Sequence, residues 1–545
     1  MNSGGANHRL DEVSGIGPAG WLAALVVVST LLFRLPAQDD RNGSGPAPAS
    51  RAEARLEEPI VAEGRELART ACGTCHVLPA PEIASREQWA FEILPDKRVW
   101  VGLDGFDFAG HPGGDLLAES PVFPERPVVS PEEWSAICNY YLSAAPADGG
   151  VRTPSNSQSE TLSGFEVIRL PAEAQPQNTF VSIDSQMGVF YVGNARESSL
   201  DVYAGTGQRL ISRGFGSPPS ATIVQTNALI LSLIGNSDLS DESNGGLVRM
   251  PKPGPGGGQL RVLDDQLRRP MDLAMADLNA DGREDIIVAE RGGYLGLLSW
   301  MENKGNGYQV HPLLKRAGAV AVEVGDVNGD SKPDIVAVTR HGFEALEMFL
   351  NQGDGRFERS TIATKHPRWW FSDLCLADVN GDGILDLVTA NGGVDRFGTD
   401  AVPLMADHGI TVWMGDGSRG FQEQRIHHLN RARRVVAADF DGDGDIDVAA
   451  VGYSHQPGAE EREGFVLLRN LGEMGFRPFN LVQGGDAFWS DLDAGDLDGD
   501  GDVDLVLVAD HPGNSGAPPP LLNRWMNARL GMLVLRNQQQ PQATQ

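Results

Sequence analysis

One nine-residue pattern recurs five times: DLNADGRED from Asp277, DVNGDSKPD from Asp326, DVNGDGILD from Asp378, DFDGDGDID from Asp439 and DLDGDGDVD from Asp496. Each copy runs straight into an apolar, β-branched stretch such as Ile335-Val336-Ala337-Val338 or Leu505-Val506-Leu507-Val508, which reads as a buried strand. Oxygen at positions 1, 3, 5 and 9, with Gly at position 6 in four of the five, suits a hard cation taking six to eight oxygen ligands. Calcium is the cation this pattern predicts. An EF-hand is excluded, because position 12 holds Val288, Ala337, Thr389, Ala450 or Leu507 instead of a bidentate Glu. Acidic turns without metal would set several Asp against one another with no cation among them.

Composition narrows the ligand classes. With 74 Asp plus Glu against 44 Lys plus Arg, the formal charge of −30 opposes binding to phosphate backbones, so no nucleic-acid partner is expected. The 545 residues are 41% hydrophobic and 22% charged, which is ordinary globular usage. Four cysteines exclude a dense disulfide framework.

The loops resemble the FG-GAP (VCBS) repeats of integrin-like β-propellers. The resemblance implies up to five Ca²⁺, held by Asp277, Asn279, Asp281 and Asp285; Asp326, Asn328, Asp330 and Asp334; Asp378, Asn380, Asp382 and Asp386; Asp439, Asp441, Asp443 and Asp447; and Asp496, Asp498, Asp500 and Asp504. Ser331 departs from the pattern where the other loops have Gly. Asp-to-Asp intervals of 49, 52, 61 and 57 residues, set against the 373 residues from Gly164 to Arg536, predict seven blades. The last blade lacks the aromatic-led final strand of its predecessors, so Gly164 to Leu170 is expected to pair with Leu530 to Arg536 and close the ring.

The N-terminus reads as an export device. Ala19 to Phe33 is an uncharged apolar run closed by Arg34, fitting either an uncleaved signal anchor or a cleaved signal peptide. A Gly/Pro/Ala/Ser tether follows.

Residues 72–76, Cys-Gly-Thr-Cys-His, form the C-x-x-C-H pattern of covalent c-type haem attachment. Cys72 and Cys75 can bond the two vinyl groups of one macrocycle, and His76 is then aimed at its iron. A zinc or redox C-x-x-C is the alternative, but zinc would be left one ligand short. Residues 57–145 resemble a class I cytochrome c domain, with a Gly-bearing N-terminal helix running into the motif and a C-terminal helix opened by Pro131-Glu132-Glu133-Trp134. The resemblance implies one haem c, one-electron transfer and a place outside the cytoplasm. No methionine lies between Met1 and Met187, so the second axial ligand is expected to be His111, with Lys97 or an open position as alternatives. Cys138 reads as a small buried residue.

The expected architecture is therefore multidomain: a tail (1–18), a signal anchor or transmembrane segment (19–35), a flexible linker (36–56), a small all-α cytochrome c domain (57–145), a second linker (146–163), an all-β seven-bladed propeller (164–537) and a tail (538–545). The expected location is periplasmic or otherwise extracytoplasmic, anchored to the inner membrane by 19–35.

Residues just before the Asp loops would line a ligand mouth: Arg268, Arg269 and Asp272; Trp369, Trp370 and Asp373; Arg433 and Arg434; Phe488, Trp489, Ser490 and Asp491. They suit a sugar, a small anion or docking of the haem domain, unless the tryptophans pack between blades. Three functions follow: electron transfer to a redox partner protein or small molecule, an oxidoreductase with its substrate in the funnel, or an adhesion or scaffold protein binding a protein or glycan.

Overall fold

A computed structural model describes residues 59–147, 159–172, 175–236, 240–253, 259–340, 342–392, 407–452, 464–510, 517 and 519–538. The apolar segment 19–35 and the first linker lie outside these. Among the described residues no helix is long and apolar enough to cross a membrane.

Seven antiparallel sheets make up the β region, each built mainly from consecutive strands. The first strands of the blades touch one another in a closed ring, which makes them the inner wall of a seven-bladed propeller. Blades 3 to 7 each carry one Asp loop between their first and second strands. Those second strands, Asp285–Glu290 in blade 3 and Asp504–Ala509 in blade 7 among them, are buried along their whole length. Continuous apolar runs are needed there because neighbouring blades cover both faces. Blades 1 and 2 have the same four strands without an Asp loop.

Ring closure follows the expected pairing. Phe165–Pro171 lies antiparallel to Leu530–Asn537, with Phe165 opposite Asn537 and Ile168 opposite Val534, so the N-terminal strand completes blade 7. Two elements go beyond the sequence expectation. Glu160–Thr161, inside the expected second linker, adds a short parallel strand to blade 6 against Phe479 and Asn480. Helix Pro519–Ala528 is inserted into blade 7 and packs Trp525 on Phe488, ring centroids 5.7 Å apart.

The helical region is short. Helix α1 (Pro59–Cys72) crosses α2 (Pro131–Ala144) so tightly that a Cβ on Gly64 would stand 2.1 Å from the Ala136 carbonyl oxygen. A reciprocal capping box starts α2, with Glu133 N donating to Ser130 Oγ (3.2 Å) and Ser130 N to Glu133 Oε2 (2.7 Å), and Pro131 in the first turn. Trp89 stacks on Tyr141 at 4.0 Å in the core between them, and half-buried Cys138 packs at its edge.

The described residues form one compact unit. Because adjacent strands alternate in direction, the Asp loops emerge on one face of the propeller, and the second-to-third-strand and blade-to-blade connections emerge on the other. The helices meet this second face: Arg368 donates to Ile83 O at 2.8 Å, Asp241 N donates to Pro112 O at 2.9 Å, and Trp100, Phe106 and Phe123 surround Tyr294.

Candidate functional site

The C-x-x-C-H turn begins where α1 ends. Gly73 N still reaches Arg69 O at 3.2 Å, which leaves Cys72 half-buried in the last turn and Cys75 exposed beyond it, both as free thiols. Burial, followed by the nearby Cys75, pushes the Cys72 thiol up to about 11. Burial also holds the His76 imidazole below its ordinary pKa, in the neutral form a metal ligand needs. His76 Nδ1 lies 2.9 Å from Val77 O. An N–H donated there leaves the Nε2 lone pair as the ligating atom, an arrangement in which a carbonyl orients the ligand. Two free thiols and one oriented, neutral imidazole fit a covalently attached haem.

The structure separates the two residues considered for the opposite axial position. Lys97 sits beside the motif, its charge felt at both Cys72 and His76. His111 is elsewhere. Its Nε2–H donates to Asp241 Oδ2 at 2.8 Å, and its ring packs on Phe106 and Tyr294. Asp241, fully buried, also accepts from the amides of Gly293, Tyr294 and Leu295 at 2.7–3.1 Å. His111 therefore serves the junction between helices and propeller, with its Nε2 already engaged there. His366 of the propeller stands close enough to His76 to act on it electrostatically.

Beyond the turn, Thr74, Cys75 and His76 face Arg316, Glu347 and Arg359 of blade 4 across a hollow of about 390 Å³. Nothing in the local sequence marks this wall, because its residues come from three separate strands or connections.

The five Asp loops share a frame. At position 9, Asp285, Asp334, Asp386, Asp447 and Asp504 each accept from the backbone N–H of position 2 at 2.8–3.2 Å and from an amide at the end of the third strand at 2.7–2.9 Å. Position 9, expected as a calcium ligand, thus has a structural task in every loop. The third strands of blades 4, 6 and 7 end in Asn351, Asn470 and Asn537, whose Nδ2 groups donate to Leu278 O, Val379 O and Phe440 O of another blade's Asp loop at 2.8–2.9 Å. An Asn closing each of these third strands is the signal in the sequence that could have found these ties.

The loops differ at the cation site. In the last two, the carboxylates of Asp439, Asp441 and Asp447, and of Asp496, Asp498 and Asp504, converge to within 4.8 Å of one another. In the first two, Arg283 pairs with Asp281, and Lys332 Nζ lies 2.7 Å from Asp330, so a side chain supplies part of the positive charge. In the third, Asn380 Nδ2 donates to Asp382 Oδ2 at 3.0 Å.

The expected ligand mouth is occupied by the protein itself. Trp369 and Trp489 are buried between blades. Phe488 has Arg433 over one face at 4.8 Å. Asp272, Asp373 and Asp491 follow a bulge at the start of their inner strands, which turns each carboxylate onto a neighbouring inner strand. They accept from the amides of Val322, Val435 and Val181 at 2.9–3.0 Å. Arg434 joins Asp373 (2.8 Å) and Asp491 (3.0 Å) across the channel. Burial raises Asp272 to about 6 and Asp491 to about 7. Glu323, with burial first and Asp272 second, rises to about 8.

Comparison with known proteins bears on the propeller. A 201-residue alignment, 28% identical, relates the chain to cartilage acidic protein 1 of Homo sapiens, covering 35% of this chain and 28% of that protein. The Mus musculus counterpart aligns over 194 residues at 29% identity, covering 34% and 28%. The match thus spans little more than a quarter of these relatives' length. Among solved structures, the WD40 domain of Neurospora crassa Pan2 superposes with a TM-score of 0.44 at 11% identity, over 71% of this chain and 99% of that one. Residues 277–337 and 326–389, which hold the Asp loops of blades 3, 4 and 5, match the FG-GAP-like repeat family, and they lie within a seven-bladed β-propeller.

Proposed function

We propose that this chain is an extracytoplasmic, partner-binding propeller that carries a monohaem electron-transfer domain on the face opposite its Asp loops. The observation that carries the haem reading is the C-x-x-C-H turn itself, with free Cys72 and Cys75 thiols and a His76 ring whose Nδ1 is fixed on Val77 O. Haem bound there would supply one-electron redox chemistry. The chain's part is to hold it through two thioethers, keep His76 neutral and oriented, and present the Cys75 side to blade 4. Calcium in the Asp loops would lower the repulsion among their carboxylates and stiffen the propeller. An inner-membrane anchor at 19–35 belongs to the same reading.

The test is an absorption spectrum, oxidised, reduced and with carbon monoxide, on protein produced with haem-attachment machinery and calcium. A low-spin c-type spectrum, lost on Cys72→Ser with Cys75→Ser and indifferent to carbon monoxide, supports electron transfer. A carbon monoxide-sensitive spectrum moves the reading to an oxidoreductase. A second reading, a scaffold or adhesion protein binding a protein or glycan, is favoured by the FG-GAP-like match. Its mark is partner binding indifferent to haem and to redox state.

A further inference from the structure

The hollow between the C-x-x-C-H turn and blade 4 has an unusual charge balance for a chain of net charge −30. Two guanidiniums, Arg316 and Arg359, share one carboxylate, Glu347, which is 1% exposed. Glu347 is saturated. Its Oε1 accepts from Arg316 Nη2 (2.7 Å) and Arg359 Nη2 (2.9 Å), and its Oε2 accepts from Arg359 Nε (3.2 Å) and Thr361 Oγ1 (2.8 Å). A carboxylate offers about four lone-pair sites, so it can take no further donor. The guanidiniums are not saturated. Arg316 lies over the Phe343 ring at 4.6 Å and hydrogen-bonds through Nη2 alone, to Glu347 and to Thr339 Oγ1, and its Nε is buried without a hydrogen-bond partner. Among the described residues no other charged side chain lines the hollow. What remains is one uncompensated positive charge, with fork-shaped donors left over, beside Cys75.

We propose that this hollow is a receptor for a carboxylate or oxyanion group, held by Arg316 and Arg359 next to the haem edge bonded to Cys75. The inference rests on the reading of the helical region as a haem carrier, and it names what that edge recognises. The fork geometry of arginine matches planar oxyanions in two-point contact, and its spare N–H groups favour anions over neutral ligands. The occupant this chemistry fits is a free anionic electron donor, which passes one electron to ferric iron and leaves oxidised by one electron, a redox partner reoxidising the haem; the haem's own propionates belong to the edge opposite its two thioethers.

The experiment uses the full chain, its covalent haem measured by the pyridine haemochrome spectrum, with sodium sulfate as probe at constant ionic strength. Calorimetry and the haem reduction potential are followed together. Saturable sulfate binding that lowers the potential, weakened about tenfold in Arg359→Gln, identifies a free-anion site. Absence of saturable sulfate binding, or binding that Arg359→Gln leaves unchanged, overturns the proposal. If the haemochrome assay finds no haem, the haem reading fails separately, and calorimetry with sulfate decides alone: binding supports the anion site and its absence overturns it.

Discussion

Ser331 stands where the other four Asp loops have glycine, and it adopts φ +65° alongside values of +83° to +96° at Gly282, Gly383, Gly444 and Gly501. That region costs an L-residue roughly 1–2 kcal/mol, offset in part by the greater freedom glycine has in the unfolded chain. Ser331→Gly is expected to stabilise the protein by about 0.5–1 kcal/mol, read as a raised denaturation midpoint in saturating calcium; a lowered midpoint would mean that the serine hydroxyl has a role of its own. Gly64 presents the opposite case. Any Cβ at this position would stand 2.1 Å from Ala136 O, so Gly64→Val must push α1 off α2, at a cost of about 3 kcal/mol or more. The expected outcome is early loss of the helical region in a thermal melt followed by near-UV circular dichroism, with the propeller transition unmoved. Both glycine requirements were legible, one from the repeat and one from the helix leading into the motif. His111 was not, because its partner Asp241 lies 130 residues away in a blade without an Asp loop.

At the scale of elements, blade number and ring closure could be read because each depends on local chemistry repeated at regular spacing: an acidic loop, a buried strand, an aromatic-led edge strand. The inserted helix Pro519–Ala528 and the parallel strand Glu160–Thr161 break that regularity and carry no repeat signal. The Asp loops carry a finer message than their shared consensus. Asp at position 3 accompanies three converging carboxylates in blades 6 and 7, whereas Asn at that position accompanies Arg283 or Lys332 on the position-5 carboxylate in blades 3 and 4. In blades 6 and 7 Arg469 and Arg536 stand 3.6 Å and 3.9 Å from Asp441 and Asp498, farther than Lys332 from Asp330 at 2.7 Å, so calcium gains more there from the added position-3 carboxylate. The loops of blades 6 and 7 are therefore expected to bind Ca²⁺ at least about tenfold more tightly than those of blades 3 and 4, as measured by chelator-competition titration. Asp441→Asn with Asp498→Asn should remove the tight class, and equal affinities before and after that change would refute the distinction.

Across the whole molecule, the channel sets a pH dependence that no single blade shows. Asp272, Asp373, Asp491, Asp493 and Glu323 surround the guanidinium of Arg434, and burial raises every one of these carboxylates. The four aspartates tie three of the seven inner-strand junctions, blade 3 to 4, 5 to 6 and 7 to 1, through the amides of Val322, Val435, Val181 and Ile183. In the sequence Asp272, Asp373 and Asp491 read as ligand-mouth residues, and only the closed ring shows that each reaches a neighbouring strand. Unfolded carboxylates titrate near 4, so between that value and the folded values, about 6 for Asp272 and about 8 for Glu323, the native chain binds more protons than the unfolded one. Their contribution to stability is then complete below about pH 4 and declines as pH rises through 6 to 8. Glu323 lines the channel half-buried and at about 8 stands above Asp272 and Asp491, at about 6 and about 7, so of these three it dominates the upper part of the decline. Glu323→Gln keeps the shape and removes the charge. In saturating calcium its melting temperature should match that of the parent chain at about pH 4 and exceed it by about 2–5 °C at about pH 8. A variant less stable than the parent at the higher pH would mean that ionised Glu323 is held favourably by Arg434, reversing the sign of the channel's contribution.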